Sequence, residues 1–282
     1  MWVLREQLAG EAPRSNEARC NLARLDSLLS PHSSDWLKAV PAFGSLKMRL
    51  SANEMQSAVA LRLGLPMAQA GQTCNKCKDN PPLDLRGHHA LTCHSGGDAV
   101  IRHNRLRDAV RGFCSRAQMS ARLEQGAGGG DKTRPADVLV QCWSLNRPAA
   151  LDVTVVSPFA SNLVNGAGDL GGVFGAVKAA EKRKRITNLA KCRALGWECI
   201  PLAVDIYGCW GKSAHMAFSV IADRMAANMN IRRGEAQRTI YGVLNMILMR
   251  QAARAVSIRQ GGQSAYGGRE VRQAAPEFQP PL

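Results

Sequence analysis

No apolar run in this 282-residue chain approaches the roughly 18 residues that a membrane-spanning helix needs, so no membrane partner is expected. The N-terminus, Met-Trp-Val-Leu-Arg-Glu-Gln, meets charge at Arg5 and has no long apolar stretch, so no secretory signal is expected either. Without such a signal, the nine cysteines point to reduced thiols or a metal site in the nucleus or cytoplasm, not to disulfides. No internal repeat is present. Acidic side chains are scarce, with 22 Asp and Glu against 37 Lys and Arg and a formal net charge of +15.

What is there is enough for a core. Hydrophobic residues make up 45% of the chain, which excludes a disordered polyelectrolyte. The length allows one large domain or two modest ones. The basic excess is uneven: residues 1–100 carry 11 basic and 9 acidic side chains, residues 101–282 carry 26 and 13. Such a concentration reads as a polyanion-binding surface, with nucleic acid first and a merely solvated basic face as the alternative.

Four stretches differ in character. Residues 1–72 form a helix-prone N-terminal segment whose best helix runs from Asn53 to Leu63, with Met55, Val59, Ala60 and Leu63 on one stripe. Residues 73–95 combine cysteines and histidines with little periodicity. Residues 100–259 alternate helical and strand patterns: a helix over 100–117, strands over 119–124, 138–143 and 149–156, and a helix over 176–195. An almost wholly apolar run follows at 199–206, the pattern of a buried central strand, and then two amphipathic helices near 213–230 and 235–258. The Gly-rich stretch at 126–130 reads as flexible and the tail over 260–282 as disordered. The order predicts an α/β fold with a mixed sheet flanked by helices.

Cys74-x2-Cys77 is followed by His88, His89, Cys93 and His94, and every histidine except His32 and His215 falls between 88 and 103. A Cys-x2-Cys pair with a His-x3-Cys pair downstream is zinc-ligand spacing, because each tight turn presents two donors. Cys74, Cys77, His89 and Cys93 are the favoured Zn2+ ligands, with His88 competing and with a loop of free thiols as the plain alternative. Four protein ligands leave no open position, so this zinc is expected to be structural. The remaining cysteines (Cys20, Cys114, Cys142, Cys192, Cys199 and Cys209) read as small core residues.

Among the few acids beyond residue 100, Asp152 interrupts the strand Ala-Leu-Asp-Val-Thr-Val-Val, where a charge belongs only if paired or ligating. Asp137 opens the preceding strand. A hairpin turning between Ser144 and Leu145 sets the two aspartates opposite or one diagonal apart on a shared face. Carboxylates converging from different elements are what a hydrated Mg2+ (or Mn2+) needs. Glu124, in the strand before, offers a third. The alternative is a strand edge or a salt bridge to Arg134 or Arg147. The next helix brings Lys178, Lys182, Arg183, Lys184, Arg185, Lys191 and Arg193, and a lysine over the site would stabilise charge developing on phosphorus.

Gly87-His-His-Ala-Leu-Thr-Cys93, Arg102-His-Asn, Arg134-Pro-Ala-Asp, Leu151-Asp-Val-Thr-Val, Leu195-Gly-Trp and Ile200-Pro-Leu-Ala-Val occur in that order. As an ordered set, spread over about 35–257, they resemble the C-terminal region of non-LTR retrotransposon polyproteins. In that family a Cys-Cys-His-Cys zinc knuckle precedes a restriction-like endonuclease of the PD-(D/E)xK fold. The resemblance implies a restriction-endonuclease-like mixed sheet, a DNA target nicked to prime reverse transcription, element RNA as a further partner, and Mg2+ held by Asp137 and Asp152 with Glu124 assisting. Two departures stand out. Ala136 interrupts the Pro-Asp pair, and Thr154 occupies the position of the expected lysine. By position the lysine is displaced to the following helix as Lys184, with Lys182 and Lys191 as alternates. No Tyr/Phe-Ala-Asp-Asp turn of a reverse transcriptase is found, so the chain reads as a detached piece of such a polyprotein. A catalytically decayed module that binds DNA or RNA through the knuckle and the basic face is the alternative expectation.

Overall fold

The computed structural model describes residues 16–39, 49–125, 135–144, 147–159 and 174–260. The Gly-rich 126–130 stretch, Arg134, the centre of the 144–147 turn and the tail beyond 260 lie outside the described residues. The helices are α1 (Asn16–Leu28), α2 (Ala52–Leu63), α3 (His88–Thr92), α4 (Asp98–Arg116), α5 (Gly175–Ala194), α6 (Lys212–Met229) and α7 (Arg233–Arg259), with a 3-10 turn at Asp35–Leu37. The strands are β1 (Ala121–Gln125), β2 (Ala136–Ser144), β3 (Arg147–Val156) and β4 (Glu198–Asp205). From α4 onward the order is that predicted from periodicity. No helix among the described residues is long and apolar enough to cross a membrane.

The four strands lie in chain order; β1, β2 and β3 pair antiparallel, and β3 pairs parallel with β4. The parallel pair requires a crossover, and α5 supplies it. Period two divides the sheet between two helical layers. Val138, Val140, Leu151, Val153, Leu202 and Val204 face a core shared with α4, α6 and α7. The opposite face carries Leu139 and the smaller Ala150, Cys199 and Ala203, against which α5 lies through Val177, Ala180 and Cys192.

Four expectations need correction. Among the described residues β4 is not central but lies at one edge of the sheet, with β1 at the other. Its apolarity is explained by α5 on one face, α6 on the other, and a chain segment doubling back along its edge: Gly211 donates to the Ala203 carbonyl at 2.9 Å and Asp205 N donates to that of Cys209 at 3.0 Å. The stripe expected on α2 is rotated. The helix starts on a Ser51–Glu54 capping box but buries Ala58, Ala60 and Leu61, leaving Met55 43% and Leu63 59% exposed. Small alanines let α2 approach α7, and that contact chose the face. Cys142 is exposed, whereas the other five non-cluster cysteines are buried as expected.

α7 is buried around most of its circumference, and not amphipathic as predicted, because α2, the 3-10 turn, α3, α4 and α6 surround it. It also ties the N-terminal segment to the sheet. Asn245, fully buried on α7, accepts from Trp210 Nε1 at 3.0 Å and donates to the His32 carbonyl at 2.7 Å. One hydrophobic cluster accordingly runs from Leu28 and Trp36 through Leu61 and Leu91 to Val256.

Candidate metal centre and candidate active site

The cysteine–histidine cluster is assembled by short polar devices, not by a core. Cys74 N donates to the Pro81 carbonyl at 2.8 Å and Asn80 N to that of Cys77 at 3.2 Å, closing the first turn. The Asp84 carboxylate accepts from the His88 and His89 amides at 2.9 and 2.7 Å and so caps the single turn of α3. That turn places His89 and Cys93, four residues apart, on one side. The ligand atoms of Cys74, Cys77, His89 and Cys93 all lie within 4.8 Å of one another. Cys77 Sγ is 3.6 Å from His89 Nε2 and 3.4 Å from Cys93 Sγ. With metal–sulfur and metal–nitrogen bonds of about 2.3 and 2.0 Å, the edges of a tetrahedral site are roughly 3.5–3.8 Å. This Cys3His cluster could therefore bind a metal such as zinc. His88 stands aside: its ring stacks on Phe159 at 3.8 Å, and its Nδ1 is 3.9 Å from Asp84.

One residue that the sequence did not single out binds this cluster to the fold. Arg259, the last residue of α7 and 1% exposed, donates to Asp98 Oδ2 at 2.8 Å, to the Ser95 carbonyl at 2.7 Å and to the Cys93 carbonyl at 3.3 Å. Burial alone would push the Cys93 thiol up; hydrogen bonds from Arg259 and Cys77 outweigh it and hold the thiol below its ordinary value.

On the sheet, Val138 pairs with Leu151 and Leu139 with Ala150, which sets Asp137 opposite Asp152. Asp137 stands close enough to Asp152 to raise its carboxyl. Asp137 Oδ2 accepts from the Val153 amide at 2.7 Å, and its Oδ1 is 3.2 Å from His103 Nε2 of α4. Asp152, 4% exposed, accepts from Lys184 Nζ at 2.9 Å on Oδ1 and from Asn188 Nδ2 at 2.7 Å on Oδ2. The two carboxyls titrate in opposite directions. Burial pushes Asp152 up to about 6, with Lys184 opposing and Asp137 adding to the rise. Burial opposes ionisation of Asp137 too, but His103 and the Val153 amide outweigh it and hold that carboxyl low.

The sequence-derived candidates thus converge in part. Asp137, Asp152 and Lys184 meet. Lys182 does not: it is exposed on the outer stripe of α5, lining a shallow groove with Lys178, Arg185 and Leu189. Lys191 lies two turns beyond Lys184. Thr154, half-buried, pairs with Ala203. Leu123 pairs with Val138 and Gln125 with Ala136, which sets Glu124 level with Asp137 across the ladder; the Glu124 side chain lies outside the described residues. His103 and Asn188 were missed as site residues. Their signal was present: His103 precedes Leu106 and Val110 by three and seven residues on the buried stripe of α4, and Asn188 sits among Val177, Ala180 and Cys192 on that of α5. A polar side chain on an apolar stripe needs a partner.

No protein-family model matches this chain, and no curated protein sequence matches it.

Proposed function

We propose that this chain is a divalent-metal-dependent DNA endonuclease with Asp137, Asp152 and Lys184 at its reactive centre and a structural zinc at Cys74, Cys77, His89 and Cys93. The observation that carries the reading is the placing of Asp137 opposite Asp152 on adjacent strands, with the Lys184 amine 2.9 Å from Asp152. Two carboxylates against one ammonium leave a negative, largely buried site, and burial, with Asp137 adding to it, pushes the carboxyl of Asp152 up to about 6. A hard divalent cation relieves that repulsion, so the donors fit Mg2+ or Mn2+, which Asp137 and Asp152 would hold. Bound there, the ion would supply charge neutralisation on the phosphodiester and activation of water.

The remaining chemistry belongs to the chain's own groups. The Val153 amide and His103 orient Asp137, and Asn188 orients Asp152. The Lys184 side chain, 28% exposed, can exchange its hydrogen bond to Asp152 for one to a phosphate oxygen and stabilise the charge that develops there. Thr154 offers no cation, so this role falls to Lys184. The basic excess beyond residue 100 favours approach of a polyanion. The motif resemblance supports nicking of a DNA target in the nucleus, leaving a 3′-hydroxyl to prime reverse transcription.

A second reading, a decayed centre in a module that only binds DNA or RNA, is favoured by Thr154 and by the engagement of both Asp152 oxygens by Lys184 and Asn188. Nicking of supercoiled plasmid with Mg2+ or Mn2+ separates the two. Wild type is expected to nick, and Asp137→Ala, Asp152→Ala and Lys184→Ala to lose at least 100-fold. Equal activity of wild type and Asp152→Ala would remove the reaction from this site, and no nicking by wild type with retained DNA binding would leave the second reading.

A further inference from the structure

His103 and Asn188 come from opposite helical layers and finish on the same pair of carboxylates. α4 lies against the face of the sheet that carries Val138 and Leu151, and α5 against the face that carries Leu139 and Ala150. His103 reaches Asp137 Oδ1 from α4 at 3.2 Å, and Asn188 reaches Asp152 Oδ2 from α5 at 2.7 Å. Each aspartate has its other oxygen held separately, by the Val153 amide and by Lys184.

The division of labour matters for a cation. The Val153 amide is fixed by the ladder and cannot move, and Lys184 is wanted by a phosphate. A carboxylate pair at close range repels itself and would swing apart into other rotamers, since Asp has only two soft torsions to prevent it. His103 and Asn188 oppose that. Each can donate to a carboxylate, and Asn188 adds no charge with which to compete for it. Asn188 is itself buried, and the hydrogen bond to Asp152 is what makes an amide tolerable on that stripe.

Resting on the endonuclease reading, we propose that His103 and Asn188 are the positioning residues of the divalent-cation centre, one for each carboxylate, and that they set its affinity for the cation. Side chains that orient ligands in this way are typically worth about 10- to 100-fold in metal affinity.

The test is Mn2+ binding to the zinc-loaded full chain, followed by loss of the free-Mn2+ electron paramagnetic resonance signal, without DNA. Mn2+ prefers carboxylates and does not compete for the thiolate site. Wild type is expected to bind one Mn2+; His103→Ala and Asn188→Ala are expected to bind it about 10- to 100-fold more weakly, with urea midpoints near wild type. His103→Gln, which keeps a donor at similar reach, is expected to recover most of the loss. With plasmid present, both alanine variants should raise the Mn2+ concentration giving half-maximal nicking more than they lower the saturated rate. If Asp137→Ala and Asp152→Ala abolish Mn2+ binding while His103→Ala and Asn188→Ala bind as wild type does, the positioning role is refuted and the centre stands. If the aspartate variants also bind as wild type does, the centre itself is refuted. Should His103→Ala fail to fold, His103→Gln and Asn188→Ala decide the matter: undiminished binding in Asn188→Ala overturns the proposal.

Discussion

Arg259→Met is the most informative single test of how the cysteine–histidine cluster is fastened to the fold. The guanidinium is fully buried and pairs with an Asp98 carboxylate that is itself only 7% exposed. Removing it strands a buried carboxylate, which costs about 3–5 kcal/mol, and releases the Ser95 and Cys93 carbonyls from their donor. Methionine keeps most of the packing of the stem, so a cavity contributes little. Replacing Asp98 as well removes the stranded charge, so Arg259→Met/Asp98→Leu is expected to recover about 2 kcal/mol. Urea unfolding measures the stability, and release of zinc to a colorimetric chelator during the same titration reports on the cluster. Zinc should leave Arg259→Met at lower urea than wild type. A loss under about 1 kcal/mol, or a double variant no more stable than the single, would refute this account of the contact.

Three further outcomes are expected. Plasma emission spectrometry should find one zinc per chain in wild type and His88→Ala, and none in Cys77→Ser or His89→Ala; retention by His89→Ala with loss by His88→Ala would reverse the ligand choice. Gly208→Ala should destabilise by roughly 2–4 kcal/mol, because Gly208 has φ +87 and an added Cβ would sit 2.8 Å from Oδ1 of the immobile Asn245; calorimetry showing no change would contradict the packing there. Asp205, whose carboxyl is raised to about 6 by burial against the opposing pull of Ser27 and backbone amides, binds its proton more tightly folded than unfolded. Its contribution is therefore fully present below pH 4 and is lost as pH rises through about 6. Between pH 5 and 7 the wild type should lose about 1.3 kcal/mol more than Asp205→Asn by urea titration; parallel profiles would show that Asp205 does not titrate there.

Much of the layout is legible from local chemistry. Helix ends and strand runs follow from Gly196, the capping box at Ser51 and the apolar periodicity, which are properties of neighbouring residues. The hairpin midpoint put Asp137 opposite Asp152 or one diagonal away, and the strand register made it opposite. Which lysine meets Asp152 was legible only as a choice of three, because selection needs the rotation of α5 on the sheet, and Ala180, Asn188 and Cys192 fix it with Lys184 inward and Lys182 outward. The outer position of β4 was illegible, since an edge strand covered on both faces and along its edge has the same composition as a central one.

The sequence by itself determined an α/β chain with a mixed sheet, a four-ligand Cys3His spacing, and two aspartates facing across a hairpin, because each follows from a short periodicity or a fixed spacing. Only the tertiary structure decided that Asp152 is held from α5 by Lys184 and Asn188, that His103 reaches Asp137 from α4, and that Arg259 closes on Cys93 and Ser95 from more than 160 residues away. Those contacts depend on how whole elements pack, and packing is set by side-chain volumes summed over many distant residues, not by any local pattern.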